Sequence, residues 1–163
     1  MNWFLLWLFL HILAAVIAFG PIFVFPIVGS LAATMPQHIH FAVELNHRIE
    51  QRLVLPLAVT MAISGAGLIW TANINIFQTP FLLVAVGLYL VALGVAFRIL
   101  LPTTTALVGL TEHAPPPGAA PGQPPQEVMT RIRRLQMFGG LEMVLFLVII
   151  FLMVIQPGGI ALR

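Results

Sequence analysis

The sequence predicts an all-α integral membrane protein, built as a single four-helix bundle over residues 1–163. Composition is the first reason, because 60% of the residues are hydrophobic and only 7% are charged, whereas a soluble domain carries about 25% charged residues. Segmentation is the second reason, because four apolar runs each reach the ~20 residues that a helix needs to cross a bilayer. These predicted spans are residues 3–29, 53–72, 80–101 and 137–156. The lipid bilayer is therefore the expected partner of most side chains.

Prolines and polar stretches set the boundaries of the first three spans. Pro21 and Pro26 lack the amide hydrogen that a helix interior needs, so we expect them to bend or end the first helix. The polar stretch that follows predicts an interfacial helix over residues 36–52, leading into the second span. Pro56 and Pro80 lie in the first turns of the second and third spans, where a missing amide hydrogen is tolerated.

The fourth span follows a loop rich in proline and glycine, residues 113–126, which is expected to be an extended linker.

The positions of the arginines predict the orientation of the protein in the membrane. All basic residues except Arg163 lie at the helix ends joined by the first and third loops, namely Arg48, Arg52, Arg98, Arg131, Arg133 and Arg134. The positive-inside rule then places loops 1 and 3 in the cytoplasm and both termini on the non-cytoplasmic side of a cell (inner) membrane.

Two classes of function are disfavoured by composition. The chain has no cysteine, which removes disulfides, thiolate metal sites and cysteine-attached haem. The small excess of arginine forms no basic patch interleaved with aromatic residues, so nucleic-acid binding is not expected.

His11 is the most unusual residue of the sequence, because it lies in an apolar run and the next ionisable side chain is His38. An imidazole inside hydrocarbon has no water to bond with, so it is a functional-site hypothesis by default. Neutral imidazole is also the commonest protein ligand of metals, including iron. Small neighbours on its helical face, Ala14 and Ala18, leave room for a flat cofactor, but they also suit close helix packing. His11 is therefore a haem-iron ligand, an interhelical hydrogen-bonding residue or a packed neutral histidine.

Two residues of other spans lie at a similar depth in the bilayer. Tyr89 is ~13 Å deep from the same side of the membrane as His11, at 1.5 Å per residue. Met61 is ~12 Å from the opposite end of its span, which in a ~30 Å core is within several Å of that level. A methionine thioether can be the second axial ligand of a haem, although methionines also fill gaps between helices. We predict Met61, Tyr89 and Arg52 as further cofactor-binding residues.

Glu142 and Arg98 are a second candidate pair. Glu142 lies about a turn and a half inside the fourth span. Its carboxyl could relay protons or pair with Arg98. Alternatively, it lies close enough to the membrane surface to stay hydrated or to pair with Arg134.

The predicted interfacial helix carries a third candidate site. His40, Glu44 and His47 recur at i, i+4 and i+7, which places them on one helix face. Two imidazoles and a carboxylate suit zinc or non-haem iron. The alternative is an ordinary i,i+4 ion pair between Glu44 and Arg48 on a solvated face.

Three segments resemble the four-helix membrane proteins grouped around the HemJ-type protoporphyrinogen oxidases and the copper-resistance D domain, including their uncharacterised "predicted integral membrane protein" relatives. The first is Leu10-His-Ile-Leu-Ala-Ala-Val16 with Gly20, and the second is Arg52-Leu-Val-Leu-Pro-Leu-Ala-Val-Thr60 with Gly65. The third is Leu152-Met-Val-Ile-Gln-Pro157. The match runs in order through nearly the whole chain.

This resemblance implies a bundle that binds haem b, with His11 at the position of the family's first-helix histidine. HemJ-type oxidases have a lysine early in the third helix, where this chain reads Phe81-Leu-Leu-Val-Ala-Val86 and has no lysine. Porphyrinogen oxidation is therefore not implied. The leading hypothesis is a haem b-binding membrane protein with a redox or electron-transfer role. The alternatives are a structural subunit of a larger membrane protein complex or homo-oligomer, and metal handling by the histidines of the first loop.

Overall fold

The computed structural model describes residues 2–112 and 126–160, and it confirms the predicted all-α class. Within these ranges, four helical segments are long and apolar enough to cross a membrane: Trp3–Leu31, Ile39–Thr71, Pro80–Thr111 and Gln126–Ile155. Each segment overlaps one predicted span. The last three segments are longer than the spans predicted for them, and the additional residues lie at the end of the bundle joined by loops 1 and 3. The loop predicted at 113–126 lies outside the described residues, apart from Gln126.

Six α-helices and two π-helical turns make up these segments. The helices are α1 (Trp3–Thr34), α2 (Ile39–Ile49), α3 (Leu55–Thr71), α4 (Pro80–Val95), α5 (Leu101–Thr111) and α6 (Gln126–Ile155). The π-helical turn Glu50–Val54 joins α2 to α3, and a second one, Ala96–Leu100, joins α4 to α5. The helix predicted at 36–52 is thus present as a 3₁₀ turn, Pro36–His38, followed by α2, and it continues without a break into the second span.

Both π-helical turns precede a proline. The same pattern, an arginine followed by three aliphatic residues and a proline, occurs at Arg52–Pro56 and at Arg98–Pro102. A proline ring in a regular α-helix clashes with the carbonyl group four residues earlier, which here belongs to the arginine. The amide of the residue before each proline instead bonds five residues back, which widens the turn. The chain therefore passes each proline as a bulge and not as a break.

The first helix runs through Pro21 and Pro26 and ends at Thr34. The expectation that these prolines could end the helix was therefore wrong. In hydrocarbon no water competes for the backbone groups that a proline leaves unpaired, so the helical conformation remains the best available one.

The helices pack in pairs: α1 against α3, α4 against α6, and α2 against α5. The core between them contains Ala14, Ala18, Phe19 and Met61. Small side chains on α1 let the helix backbones approach closely, which is the usual way in which membrane helices associate. The rings of Phe19 and Phe146, 4.2 Å apart between centroids, connect α1 to α6.

Candidate functional site

His11 connects α1 to α3 inside the apolar part of the bundle. Its Nδ1 atom lies 3.1 Å from the carbonyl oxygen of Met61 and 3.1 Å from the hydroxyl oxygen of Ser64. Ser64 is buried, and its hydroxyl also donates to the Met61 carbonyl oxygen at 3.1 Å. The interhelical hydrogen bond that the sequence allowed for His11 is therefore present.

These contacts assign the protonated nitrogen of the imidazole. A carbonyl oxygen only accepts hydrogen bonds, so the Nδ1 atom next to Met61 carries the hydrogen. In the neutral ring the lone pair then lies on Nε2, which can accept a hydrogen bond or bind a metal. Histidines that bind metals usually donate their other N–H group to a carbonyl or carboxylate, which fixes the tautomer and the ring orientation. The hydrogen bond to α3 is thus compatible with metal binding by the same ring.

Two glycines of α3 face the aromatic side chains of α1. A Cβ atom added to Gly65 would lie 3.2 Å from Cε1 of His11, and one added to Gly67 would overlap ring atoms of Trp7. The absence of side chains at these two positions lets both rings lie directly against α3. Helix packing through small residues of this kind fixes the position of the imidazole.

The other predicted cofactor-binding residues have different surroundings. Met61 is buried in the core cluster next to Tyr89, and it meets His11 through its backbone carbonyl group. The Tyr89 hydroxyl donates to the carbonyl oxygen of Ala58, so it connects α4 to α3. Arg52 lies on the first π-helical turn with an exposed side chain. Met61 and Tyr89 therefore share the core with α1, whereas Arg52 belongs to the end of the bundle joined by loops 1 and 3.

The histidines of α2 hydrogen-bond to α5. Nδ1 of His40 lies 3.2 Å from the hydroxyl oxygen of Thr111, and Nδ1 of His47 lies 3.1 Å from that of Thr104. Glu44 forms an ion pair with Arg48, with a nitrogen–oxygen distance of 2.6 Å.

The metal site predicted at His40, Glu44 and His47 is therefore not formed. No group of three His, Cys, Asp or Glu side chains that could hold a metal ion occurs among the described residues. The i, i+4, i+7 spacing placed these side chains on one face, but that face packs against the threonines of α5. The competing interpretation, an i,i+4 ion pair of Glu44 with Arg48, agrees with the structure.

Glu142 is almost completely inaccessible to solvent, with 4% of its surface exposed. Its Oε1 atom is buried and has no hydrogen-bond partner among the described residues. Arg98, which lies on the second π-helical turn, has an exposed side chain. No ion pair joins Glu142 to Arg98 or Arg134 in the described part of the chain, so the expected pairings of this carboxyl are absent there.

Sequence reasoning missed three residues that surround these sites. The first is Ser64, which completes the hydrogen bonding of His11. The other two are Glu50, which is 7% exposed, and Thr104, whose hydroxyl lies 2.7 Å from Oε2 of Glu50. One signal was available: His40 and His47 are seven residues apart, and so are Thr104 and Thr111. Equal spacing of two polar residue types on consecutive spans predicts two antiparallel helices that pair along one seam.

Comparison with known proteins gives the family of the chain. Neither a curated protein nor a solved structure was found to match the chain. A family model described as "Predicted integral membrane protein (DUF2269)" matches residues 5–157. This range contains His11, both π-helical turns and all four candidate spans, except for the first two residues of the first span. The chain therefore belongs to the DUF2269 family of predicted integral membrane proteins.

Proposed function

We propose that this protein binds haem b in the membrane with His11 as an axial ligand, and that it serves a redox or electron-transfer function. The observation that carries the proposal is the hydrogen bond from His11 Nδ1 to the Met61 carbonyl oxygen, because it leaves the Nε2 lone pair for a metal. Ser64, on the same helix, holds the same nitrogen from a second direction. The ring is thus already held in one tautomer and one orientation.

The side chains around His11 are mostly apolar, which supports a site for an apolar macrocycle. Ala14 and Ala18 on α1 and Gly65 on α3 are small, and the polar groups close to the ring are engaged with its Nδ1 edge. An apolar lining with a few placed polar groups is typical of cofactor sites. Haem bound there would supply a one-electron carrier, and its potential would depend on its axial ligands and on its burial in the bundle.

The resemblance to HemJ-type and copper-resistance D proteins supports the same proposal, since it implies that His11 corresponds to their first-helix histidine. The absence of lysine from the chain argues against porphyrinogen oxidation as the reaction. Electron transfer is the simpler proposal, because it requires only that the protein bind and insulate the carrier.

The test is the visible absorption spectrum of the purified full-length protein, before and after reduction with dithionite. We expect a Soret band that is lost in His11→Gln. Glutamine can still donate to the Met61 carbonyl oxygen, so this variant keeps the interhelical hydrogen bond and removes only the imidazole. His38→Ala is the matched control, since His38 is exposed in the turn before α2, and its spectrum should equal that of the wild type.

Two results would overturn the proposal. A wild-type protein without a Soret band and without iron, also after reconstitution with haemin, would exclude haem binding. If such a colourless protein co-purified with a larger membrane protein, the structural-subunit hypothesis would replace it. An unchanged spectrum in a folded His11→Gln variant would exclude His11 as the ligand.

A further inference from the structure

Four polar side chains lie on elements that pack against one another, namely α2, the first π-helical turn, α5 and α6. We call them the polar layer: Asn46, Glu50, Thr104 and Glu142. Glu50 and Glu142 are 7% and 4% exposed, and Thr104 is also buried. Glu50 begins the first π-helical turn, a distortion that often occurs at functional sites. The layer is separate from His11, whose partners are Met61 and Ser64.

The hydrogen bonding of the polar layer is incomplete. The Thr104 hydroxyl donates to Oε2 of Glu50 at 2.7 Å. Oε1 of Glu142 and Oδ1 of Asn46 are both buried, and neither has a partner among the described residues. The helix of Thr104, α5, packs against α2, which leads into the turn of Glu50, and against α6, which carries Glu142. The layer therefore holds several buried acceptor oxygens and too few donors.

The ionisable groups on the surrounding elements do not supply the missing positive charge. Arg48 and Arg131 pair with Glu44 and Glu127. The remaining described arginines have exposed side chains, namely Arg52, Arg98, Arg133 and Arg134. The other titratable side chains nearby are engaged elsewhere: His11 with Met61, His40 with Thr111 and Tyr89 with Ala58. His47 reaches the layer through the Thr104 hydroxyl.

Two neighbouring carboxyl groups in an apolar interior cannot both be ionised, because burial and mutual repulsion each disfavour the second charge. A bound metal ion would also neutralise both, but no group of three His, Cys, Asp or Glu side chains that could hold one occurs in the described part of the chain. A proton needs only one carboxyl oxygen, which it converts from an acceptor into a donor.

We propose that the polar layer is a proton-binding site, in which the buried carboxyl groups of Glu50 and Glu142 bind one exchangeable proton. His47, half-buried and 3.1 Å from the Thr104 hydroxyl, connects this site to the surface. Glu50 lies 21 residues before Thr71, the end of α3, which is about 30 Å at 1.5 Å per residue. The site is thus at the edge of the hydrocarbon, where protons can enter from the side of loops 1 and 3.

The first experiment is labelling of the full-length protein in micelles with dicyclohexylcarbodiimide, an apolar reagent that reacts with protonated carboxyl groups. Peptide mass spectrometry should find the label on Glu142 or Glu50 at neutral pH, with less label as the pH is raised. Glu142→Gln and Glu50→Gln should each remove the label from their own position, and the double variant should abolish it, because both buried carboxyl groups are then gone. Glu127, which is exposed and paired with Arg131, is the internal control that should stay unlabelled.

The labelling is repeated with sodium or calcium chloride at constant ionic strength. Labelling that is insensitive to both salts supports a proton, whereas protection by either salt would overturn it in favour of a metal cation. Infrared spectroscopy covers the case in which the reagent does not enter the bundle. We expect a protonated-carboxyl C=O band at neutral pH that Glu142→Gln removes, and a wild-type spectrum without this band would overturn the proposal.

Discussion

Replacing Thr104 by valine removes one hydroxyl group from the polar layer and keeps the branched shape of the side chain. That hydroxyl donates to Oε2 of Glu50 at 2.7 Å and lies 3.1 Å from Nδ1 of His47. In Thr104→Val, the Glu50 carboxyl group stays buried and loses its donor. The variant therefore measures how strongly α5 holds the carboxyl group of the first π-helical turn.

The expected size of the effect follows from the burial of each partner. Leaving a buried polar group unsatisfied costs about 1–3 kcal/mol. Glu50 is 7% exposed and bears most of this loss, whereas His47 is half-buried and can turn toward water. We expect the free energy of unfolding to fall by about 2 kcal/mol, which raises the unfolding equilibrium constant about 30-fold.

The next residue supplies a matched control. Thr105 is exposed, and its hydroxyl donates to the carbonyl oxygen of Leu101 at 2.8 Å, so Thr105→Val should change the stability by less than about 0.5 kcal/mol. The assay is reversible unfolding in mixed micelles, followed by circular dichroism. Combining Thr104→Val with Glu50→Met should cancel most of the loss, because both partners are then apolar. Equal destabilisation by the two threonine variants would refute this account of the polar layer.

Two further predictions concern helix packing and orientation. Gly67→Ala should destabilise the protein by about 1–2 kcal/mol and shift the fluorescence of Trp7, because the new methyl group would overlap the Trp7 ring. Gly87→Ala is the control: nothing lies within 4 Å of the added atom, so this variant should be neutral or slightly stabilising. Equal effects would contradict the proposed contact between α1 and α3. Because the chain has no cysteine, single cysteines introduced at Gln37 and Gln78 can report the orientation of the protein in the membrane. A membrane-impermeant maleimide should label Gln78→Cys from outside intact cells, and it should label Gln37→Cys only after the cells are permeabilised. Labelling in the opposite order would refute the orientation drawn from the arginines.

The sequence was sufficient for the class and the number of spans, because hydropathy over ~20 residues directly reflects the thickness of the bilayer. It was not sufficient for helix ends. Arg48 and Arg52 indicate a membrane surface, but a helix that continues past that surface carries the same charges. The prediction that Pro21 or Pro26 could end the first helix also failed because of the lipid environment. Proline ends helices reliably only where water can replace the lost hydrogen bond.

The candidate sites show the same limit. His11 could be singled out because an imidazole in an apolar run is rare, but its partners, Met61 and Ser64, lie on another helix. The periodicity of His40, Glu44 and His47 gave the correct face and the wrong chemistry, because one sequence does not reveal which helix covers that face. Glu50 was missed because its charge, so close to several arginines, is typical of a solvated helix end.

The bundle is taller than the hydrocarbon layer. The segment Ile39–Thr71 has 33 residues, which is about 50 Å of helix, against about 30 Å of lipid tails. A typical tilt of ~20° shortens the projection by only about 6%, so roughly 15 Å of the paired helices α2 and α5 stands among lipid headgroups. At that height the exposed ring of Phe41 can insert between headgroups, and the exposed guanidinium groups of Arg48 and Arg52 can reach phosphates. Anionic lipids should therefore collect around this end of the protein and fix how deeply it sits.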